Sequence, residues 1–180
     1  MYRHRLNLYN VSMKGKSMIH LKPMTEKDCH YLVDWNIDKD ENYLFQWAGY
    51  KAYHYPISFE QINKRLNEQA QIYLIIHAET PIGSVELDKI NEEMHSANVC
   101  RFILCNDVKS KGLGTQALKQ LINLAFNEMM MERLTLGVFC YNIGAIRCYE
   151  KCGFLVKEYH QSEDPNWNVY IMELIHHRTK

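Results

Sequence analysis

The chain has 180 residues, of which 47% are hydrophobic and 23% charged, and its 21 Lys and Arg balance its 21 Asp and Glu. This length suits one domain with a well-buried core. A net charge of zero gives no general attraction to nucleic acid or to membranes, and no apolar run approaches the roughly 18 residues that a membrane span needs.

Residues 1–17 are basic and lack a regular hydrophobic pattern, so they predict an N-terminal extension of unclear role before a single domain at 18–180. The extension also lacks the apolar core of a secretory signal. Six cysteines without regular spacing indicate reduced thiols and a cytoplasmic location. Cys148 and Cys152 stand one helical turn apart, but no second pair of ligands accompanies them, which favours core thiols over a metal site.

Two capping patterns predict helix starts in the first half of the chain. Thr25 and Asp28 resemble a capping box for a helix to about residue 34, and Ser58 with Gln61 forms a second one for a helix to about residue 69. The segment between these helices is rich in aromatic side chains.

Strands alternate with these helices. Residues 71–90 predict a β-hairpin with its turn at residues 79–82. The predicted strands are residues 19–23, 73–77, 83–89, 97–104, 134–139, 154–159 and 168–175. A long amphipathic helix from Gly112 to about residue 128 places apolar residues on one stripe.

Residues 108–117 are the strongest functional signal in the chain, because they follow a strand and open that long helix. Gly112 and Gly114 allow a tight turn and a close approach of the backbone to a ligand. Amides at a helix N-terminus attract anions. With Lys109 and Lys111 beside them, the glycines predict a cradle for a pyrophosphate group.

Other phosphate-binding motifs fit less well. The P-loop pattern G-x-x-x-x-G-K-[ST] is absent. The dinucleotide fingerprint is formally present at Gly112, Gly114 and Ala117, but it needs an acidic residue at the end of the next strand, and Glu132 precedes that strand. An ordinary glycine-rich turn remains the alternative to a binding loop.

A second motif, N-I-G-A-I-R-C-Y-E-K-C-G-F, occupies residues 142–154. Asn142 is a suitable N-cap, and Tyr149 lies two helical turns later on the same face, about 10.5 Å along the axis. Together with the Gly-x-Gly helix start, this motif resembles the acetyl-CoA-binding half of the GCN5-related N-acetyltransferase (GNAT) superfamily. The resemblance is specific over residues 98–156 and looser back to Ile19.

The resemblance implies an α/β (α+β) fold with a mixed, mostly antiparallel sheet of six or seven strands. About four helices would flank this sheet, and the fourth strand would splay from its neighbour. The first half of the chain is similar to the subgroup of ribosomal-protein N-terminal, spermidine and some aminoglycoside acetyltransferases. The implied co-substrate is acetyl-CoA, and no metal is implied.

The resemblance also implies a cofactor path along the fourth strand to the glycine loop. Backbone amides near Leu104 and Cys105 would face the thioester oxygen. The implied cofactor contacts are Phe102, Ile103, Leu104, Cys105, Lys109, Ser110, Lys111, Gly112, Leu113, Gly114, Thr115 and Asn142. The family usually has Arg or Gln where Lys109 stands, and Lys supplies charge without a bidentate fork.

By the same resemblance, Tyr149 is the general acid for the departing thiolate, since a phenol with a reference pKa of about 10 stays protonated at neutral pH. The alternative is a half-buried aromatic with a hydrated hydroxyl. Glu86 is a candidate general base, acting directly or through water, on the strand face opposite its apolar neighbours. The alternative interpretation is that Glu86 is simply an exposed carboxylate on a strand. His54 and His77 are weaker candidates for the base.

The aromatic segment predicts the wall of the acceptor site, because aromatic faces attract ammonium groups. The predicted acceptor contacts are Trp47, Tyr50, Tyr55 and Glu86, and the alternative is that these aromatics pack into the core. The acceptor is a small-molecule amine or a peptide N-terminus. The protein is expected as a monomer or as a homodimer, for which strand 168–175 offers a pairing edge.

The sequence therefore predicts an acetyl-CoA-dependent N-acetyltransferase that acts on a primary amine by direct attack in a ternary complex. A covalent route through Cys105 is a variant of this mechanism. The alternative function is a non-catalytic acyl-CoA-binding sensor or interaction module, which needs the glycine loop but neither Tyr149 nor Glu86. A nicotinamide-dependent oxidoreductase rests on the dinucleotide fingerprint alone.

Overall fold

The computed structural model describes residues 18–49, 51–68, 70–105, 108 and 111–176. The predicted extension and the predicted contacts Tyr50, Lys109 and Ser110 lie outside these residues. Within the described ranges no helix is both long and apolar enough to span a membrane. All six cysteines of the sequence are described, and all are free thiols.

One seven-stranded sheet runs through the described part of the chain, in the order β1-β2-β3-β4-β5-β7-β6. Its strands are β1 (Ile19–Pro23), β2 (Gln71–His77), β3 (Thr80–Asn91), β4 (Ser96–Leu104), β5 (Arg133–Phe139), β6 (Leu155–His160) and β7 (Val169–Ile175). Among these seven strands only β4 and β5 pair in parallel; the other neighbours are antiparallel. This confirms the predicted mixed, mostly antiparallel sheet.

Helices cover both faces of the sheet. Within the described residues they are α1 (Cys29–Asp34), α2 (Glu41–Ala48), α3 (Phe59–Leu66), α4 (Leu113–Asn123) and α5 (Ile143–Lys151). Helix α4 continues directly into a π-helical stretch, Leu124–Glu128, so the predicted helix to about residue 128 is confirmed.

The predicted capping box before α1 is confirmed. Asp28 Oδ2 accepts hydrogen bonds from the backbone N of Thr25 at 2.9 Å and from its Oγ1 at 2.7 Å. Lys22 Nζ also donates to Asp28 at 2.9 Å. The carboxylate therefore ties β1 to the turn that starts α1.

The second box forms in part. Ser58 Oγ accepts from the backbone N of Gln61 at 3.4 Å, but the Gln61 side chain bonds the backbone of His54 and Pro56 instead of returning to Ser58. Helix α3 ends at Leu66, earlier than predicted, because the Asn67 side chain turns back to donate to the Asn63 carbonyl at 2.8 Å.

Two predictions at the edges of strands are wrong. The β2–β3 turn lies at Ala78 and Glu79, which have φ of +49° and +63°, and Pro81 lies inside β3. The C-terminal strand β7 lies between β5 and β6, so both of its edges are already paired within the chain. It therefore has no edge left to pair across a dimer.

Side-chain alternation divides the core between the two faces of the sheet. One face of β2 packs with α1, α2 and α3 through Leu32, Leu44, Ile62, Ile72 and Leu74. The opposite face of the sheet packs with α4 and α5. The residues of this second core include Val85, Leu87, Val99, Leu118, Leu121 and Ile146. Because Glu86 pairs with Ile72, its side chain belongs to the α1–α3 face.

The predicted splay at the fourth strand is confirmed. Strands β4 and β5 pair only at Ser96–Arg133, Ala97–Leu134 and Asn98–Thr135, and then they separate. On its other edge β4 carries a bulge, since Arg101 and Phe102 both lie opposite Val85. Arg101 has φ of +49°, a left-handed conformation that is uncommon for a residue with a Cβ.

Candidate active site

The gap between β4 and β5 opens into a groove of about 1860 Å³, here termed the central groove. It is lined by α2 and the following loop, by β4 from Asn98 to Leu104, by the starts of α4 and α5, by β5, and by the β6–β7 connection. Ordinary small-molecule pockets occupy roughly 300–1,000 Å³. The central groove therefore has room for two substrates side by side.

The start of α4 forms one end of this groove, and its two glycines have different roles. Gly112 is the N-cap with φ of +74°, a conformation that favours glycine. A Cβ on Gly114 would lie 3.2 Å from Leu104 Cδ1 and 3.6 Å from Phe102 Cζ. Gly112 thus shapes the turn, whereas Gly114 allows α4 to approach β4 closely.

Helix α5 begins beside Phe139, since the amide of Asn142 donates to the Phe139 carbonyl at 2.9 Å. The second half of α5 reaches the start of α4, where Cys148 Sγ lies 3.5 Å from Thr115 Oγ1. Asn142 Oδ1 accepts from the backbone N of Ala145 at 3.2 Å, so the predicted N-cap is confirmed. Asn142, Gly144, Arg147 and Lys151 all line the groove. The N-terminus of α4 and the Lys151 side chain, which interacts with Cys148 beside it, therefore give the α4 end of the groove a positive potential, which suits an anionic ligand.

Tyr149 lies in the wall of the central groove. Its side chain is 8% exposed, and its ring packs 6.5 Å from Phe102 and 6.0 Å from Phe154, measured between centroids. Burial, with the neighbouring Cys148 and Cys100 thiols, raises the pKa of the Tyr149 phenol. Within the described residues its hydroxyl has no hydrogen-bond partner, so a protonated donor is available to a ligand.

Glu86 is neither exposed nor open to direct contact with a substrate. It is 1% exposed, since α3 and the loop before it cover this face of β3. Its Oε1 accepts from the Tyr53 hydroxyl at 2.8 Å, and its Oε2 accepts from Arg65 Nε at 3.1 Å and Arg101 Nη1 at 3.0 Å. Among the described residues, Tyr53 and Arg101 line the groove and Glu86 does not.

Asp88 completes a buried network with Glu86. It accepts from Asn98 Nδ2 at 2.9 Å, from Arg101 Nη1 at 3.0 Å and from Arg65 Nη2 at 3.2 Å. Burial raises the pKa of the Glu86 carboxyl, and the Arg101 and Arg65 charges offset this only in part. For Asp88, hydrogen bonds from Asn98 and Arg101 outweigh burial and hold its pKa below the ordinary value.

Aromatic side chains form the other end of the groove. Trp47 and Tyr55 line it as predicted; Trp47 Nε1 donates to Asn36 Oδ1 at 3.1 Å, and Tyr55 is 51% exposed. The sequence analysis missed a further cluster in this wall. Phe45, Phe139 and Trp167 pack with centroid distances of 4.4 to 5.4 Å.

The predicted cofactor contacts divide into three groups, of which one, Lys109 and Ser110, lies outside the described residues. Phe102, Ile103, Leu104, Gly112, Gly114, Thr115 and Asn142 line the groove. Among the described residues, Cys105, Lys111 and Leu113 do not line it, and the Leu113 side chain is buried in the core. The amide of Cys105 donates to the Ile82 carbonyl at 2.8 Å, so it cannot also face a thioester oxygen.

Tyr53 belongs to the aromatic segment that the sequence predicts as the acceptor wall, but no sequence signal pointed to its bond with Glu86, or to Arg65 and Arg101. Each comes from a different element, and they meet only because Glu86 lies between them. Within the described residues no group of three or more His, Cys, Asp or Glu side chains is placed to hold a metal ion.

Known proteins resemble this chain in sequence and in architecture. Residues 29–154 match the model of the Acetyltransferase (GNAT) family. The chain is 23% identical over 150 residues to a spermidine N(1)-acetyltransferase of Vibrio cholerae serotype O1, covering 82% of this chain and 84% of that protein. It is 26% identical over 160 residues to an aminoglycoside N(6')-acetyltransferase type 1 of Klebsiella pneumoniae, covering 81% and 78%.

Solved structures agree on the fold. A Vibrio cholerae spermidine N-acetyltransferase in complex with CoA and spermine superimposes with a TM-score of 0.72 at 20% identity, over 88% of this chain and 95% of that one. Sheet, splay and groove are thus those of an N-acetyltransferase. More particularly, this chain belongs to the GNAT family, and its acetyl donor is acetyl-CoA.

Proposed function

We propose that this protein transfers the acetyl group of acetyl-CoA directly to a primary amine while both substrates occupy the central groove. The observation that supports the proposal most directly is Tyr149, a buried side chain that lines the groove and whose hydroxyl has no hydrogen-bond partner among the described residues. The diphosphate binds at the start of α4, and the pantetheine follows Phe102 to Leu104. The thioester then lies beside Tyr149.

Acetyl transfer proceeds in one ternary complex. The neutral amine attacks the thioester carbon, the C–N bond forms, and negative charge develops on the carbonyl oxygen. A backbone amide of the β4 bulge at Arg101 and Phe102 stabilises that charge, in place of the amide of Cys105. The C–S bond then breaks, and Tyr149 donates its proton to the leaving thiolate. No acetyl-enzyme at Cys105 is required.

The amine must first lose a proton, and Tyr53 with Glu86 provides a route for it. Tyr53 lines the groove and donates to Glu86 at 2.8 Å. Its oxygen accepts the proton from the ammonium group as its own proton passes to Glu86 Oε1. Burial raises the pKa of Glu86, which makes this carboxylate a better proton acceptor than one in water. Glu86 is therefore proposed as a base that acts through Tyr53 or a water molecule.

The charges along the groove favour an acceptor with a single ammonium group. Among the described lining residues, Glu41 is the one carboxylate, whereas the cations are Lys51, Lys89, Arg101, Arg147 and Lys151. A polyamine needs several carboxylates to bind its charges. Some relatives are named for spermidine, so that polyamine is the natural substrate to compare. The charges of this groove instead suit a small monoamine or a peptide N-terminus that packs against an aromatic wall.

A panel assay tests the proposal. Purified protein is mixed with acetyl-CoA and one of several amines, and loss of thioester absorbance is followed without a thiol reagent. We expect turnover with monoamines or short peptides and slower turnover with spermidine. Acetyl-CoA binding without turnover on any amine would instead support the non-catalytic binding module. A cytoplasmic location and a monomeric or homodimeric state belong to the same proposal.

A further inference from the structure

Two thiols of α5 lie against the first turn of α4. Cys148 Sγ is 3.5 Å from Thr115 Oγ1, and Cys152 Sγ donates to the Thr115 carbonyl at 3.7 Å. A Cβ on Gly114 would lie 3.8 Å from Cys148 Sγ. Both cysteines border the core as expected, but Cys148 also lines the central groove. A reactive side chain therefore stands at the anion-binding end.

The surroundings of Cys148 favour its thiolate form. The neighbouring Cys152 thiol lowers the pKa of Cys148 to about 7, against the opposing effect of burial and with help from the Thr115 hydroxyl and Lys151. The sulfur also lies beside the first turn of α4, and a helix N-terminus favours a thiolate. The other groups facing the pair are Tyr149 on α5 and Lys119 on α4. The pKa of Cys152 is raised, so Cys152 keeps its proton and remains the donor. Thiolates, not thiols, are the nucleophilic form of cysteine.

We propose that Cys148 is a covalent modification site for soft electrophiles, including peroxides, and that acetyl-CoA and this modification exclude each other. The identity of the competing ligand rests on the proposed function. A group attached to Cys148 Sγ occupies the space beside Gly114 and Thr115, where the diphosphate is proposed to bind. Modification therefore blocks entry of the cofactor, and bound cofactor shields the sulfur.

With hydrogen peroxide, the Cys148 thiolate attacks one peroxide oxygen. The S–O bond forms, the O–O bond breaks, and the leaving hydroxide takes up a proton to become water. Sulfur is oxidised to the sulfenic acid and peroxide is reduced. With iodoacetamide, an S–C bond forms and iodide leaves. Both reactions consume the thiolate, so both report on the same site.

Timed alkylation of the wild-type protein tests this site. The protein is treated briefly with iodoacetamide at pH 7.5, with and without acetyl-CoA, and each cysteine is quantified by mass spectrometry. Cys140 is an internal reference, because it is half-buried and lies outside the described groove lining. We expect Cys148 to label about tenfold faster than Cys140, and acetyl-CoA to slow Cys148 alone. Equal rates for the two cysteines would overturn the proposal.

Two variants sharpen the result. Cys152→Ala removes the neighbouring thiol that lowers the pKa of Cys148 and should slow Cys148 labelling by severalfold. Cys148→Ala should keep its activity after peroxide treatment that inactivates the wild type. Calorimetry on the unmodified protein separates the two proposals, since absence of acetyl-CoA binding there would refute the proposed function. If alkylated wild type still binds acetyl-CoA normally, mutual exclusion is wrong while the proposed function stands.

Discussion

Tyr149→Phe removes one hydroxyl from the groove and leaves the packing against Phe102 and Phe154 in place. Loss of a general acid typically lowers the rate by about 100-fold or more, so we expect that decrease in kcat. Affinity for acetyl-CoA should stay within about twofold, since the hydroxyl acts on the departing thiolate. Steady-state kinetics and calorimetry measure the two effects. Tyr159→Phe, on exposed β6, is the matched control, and an unchanged kcat would remove Tyr149 from the mechanism.

The roles of Glu86 can be separated by two substitutions. Glu86→Gln removes the carboxylate charge that pairs with Arg65 and Arg101, so we expect the free energy of unfolding to fall by about 3 kcal/mol. We also expect kcat to fall, because the proposed base is lost. Tyr53→Phe breaks the proposed relay but leaves the ion pairs intact. It should lower kcat at a stability cost of about 1 kcal/mol. Urea unfolding and kinetics provide the readouts. Wild-type kcat in Tyr53→Phe would exclude Tyr53 from the proton route, and wild-type kcat in Glu86→Gln would leave Glu86 with a structural role only.

Residues that share an element were predictable, and residues that meet across elements were not. Asn142 and Tyr149 lie on one helix, so their spacing gave their common face and the N-cap. Glu86 meets Tyr53, Arg65 and Arg101 at separations of 33, 21 and 15 residues. No local pattern encodes such a meeting. Strand alternation gave the face of Glu86 correctly, but it could not show that α3 covers that face.

At the scale of elements, Asp28 joins β1 to α1 through its bonds to Lys22 and Thr25. Hydrogen bonds from Thr25 and Lys22 outweigh burial and lower the pKa of Asp28. The carboxylate thus contributes stability above its unfolded pKa of about 3.9, and this contribution is lost as pH falls through the lowered folded value. Asp28→Asn should cost about 1 kcal/mol at pH 7.

Urea unfolding of Asp28→Asn and wild type across pH checks this assignment. The two curves should converge at acidic pH, where the wild-type carboxylate is protonated. Asp34→Asn, an exposed position at the end of the same helix, should change stability by less than about 0.5 kcal/mol. A difference between wild type and Asp28→Asn that is constant with pH would show that the charge is not involved.

The helix starts at the groove offer a pair of glycine substitutions with opposite signs. Gly112 has φ of +74° and no atom within 4 Å of the point that a Cβ would occupy, so Gly112→Ala suffers backbone strain alone and should lose about 1 kcal/mol. Gly144 lies in the first turn of α5, again with open space around it. Gly144→Ala should gain up to about 1 kcal/mol from helix propensity. The midpoints of urea unfolding measure the change in stability of each variant. Changes of the same sign in the two variants would contradict the argument from backbone conformation.

The order and type of elements followed from periodicity, whereas their irregularities did not. The hairpin turn at Ala78 and Glu79 has two positive φ values without the Gly or Asn that normally indicates such a turn. Arg101 in the β4 bulge also has a positive φ, although it is neither Gly nor Asn. In both cases neighbouring strand pairs impose the backbone conformation, which the local sequence alone does not favour.

At the scale of the whole molecule, the groove is a consequence of sheet topology. Parallel β4 and β5 pair over only three residue pairs, so the sheet opens where its two cores meet. Helix α4 can close one side of this gap because Gly114 allows it to contact β4. Helix α2 and Trp167 close the other side with aromatic rings. One opening thereby has an end at the α4 N-terminus, where the diphosphate is proposed to bind, and an aromatic end.

Ligand binding to the whole fold gives the broadest prediction. A ligand present at 100 times its Kd adds about 2.7 kcal/mol to the stability of the folded state. For a chain of 180 residues each kcal/mol raises Tm by about 2–4 °C. Acetyl-CoA should therefore raise Tm by about 5–11 °C under this condition. Thermal unfolding followed by circular dichroism measures the shift.

NADH is the matched control for that experiment, because it carries the same kind of diphosphate but would require the dinucleotide fingerprint. We expect no change in Tm with NADH at the same concentration, since Glu132 immediately precedes β5, at the wrong end of that strand to bind a ribose. Added salt should reduce the effect of acetyl-CoA, because the proposed site attracts its phosphates through the α4 N-terminus and nearby cations such as Lys151. A shift with NADH and none with acetyl-CoA would reverse the assignment of the glycine turn.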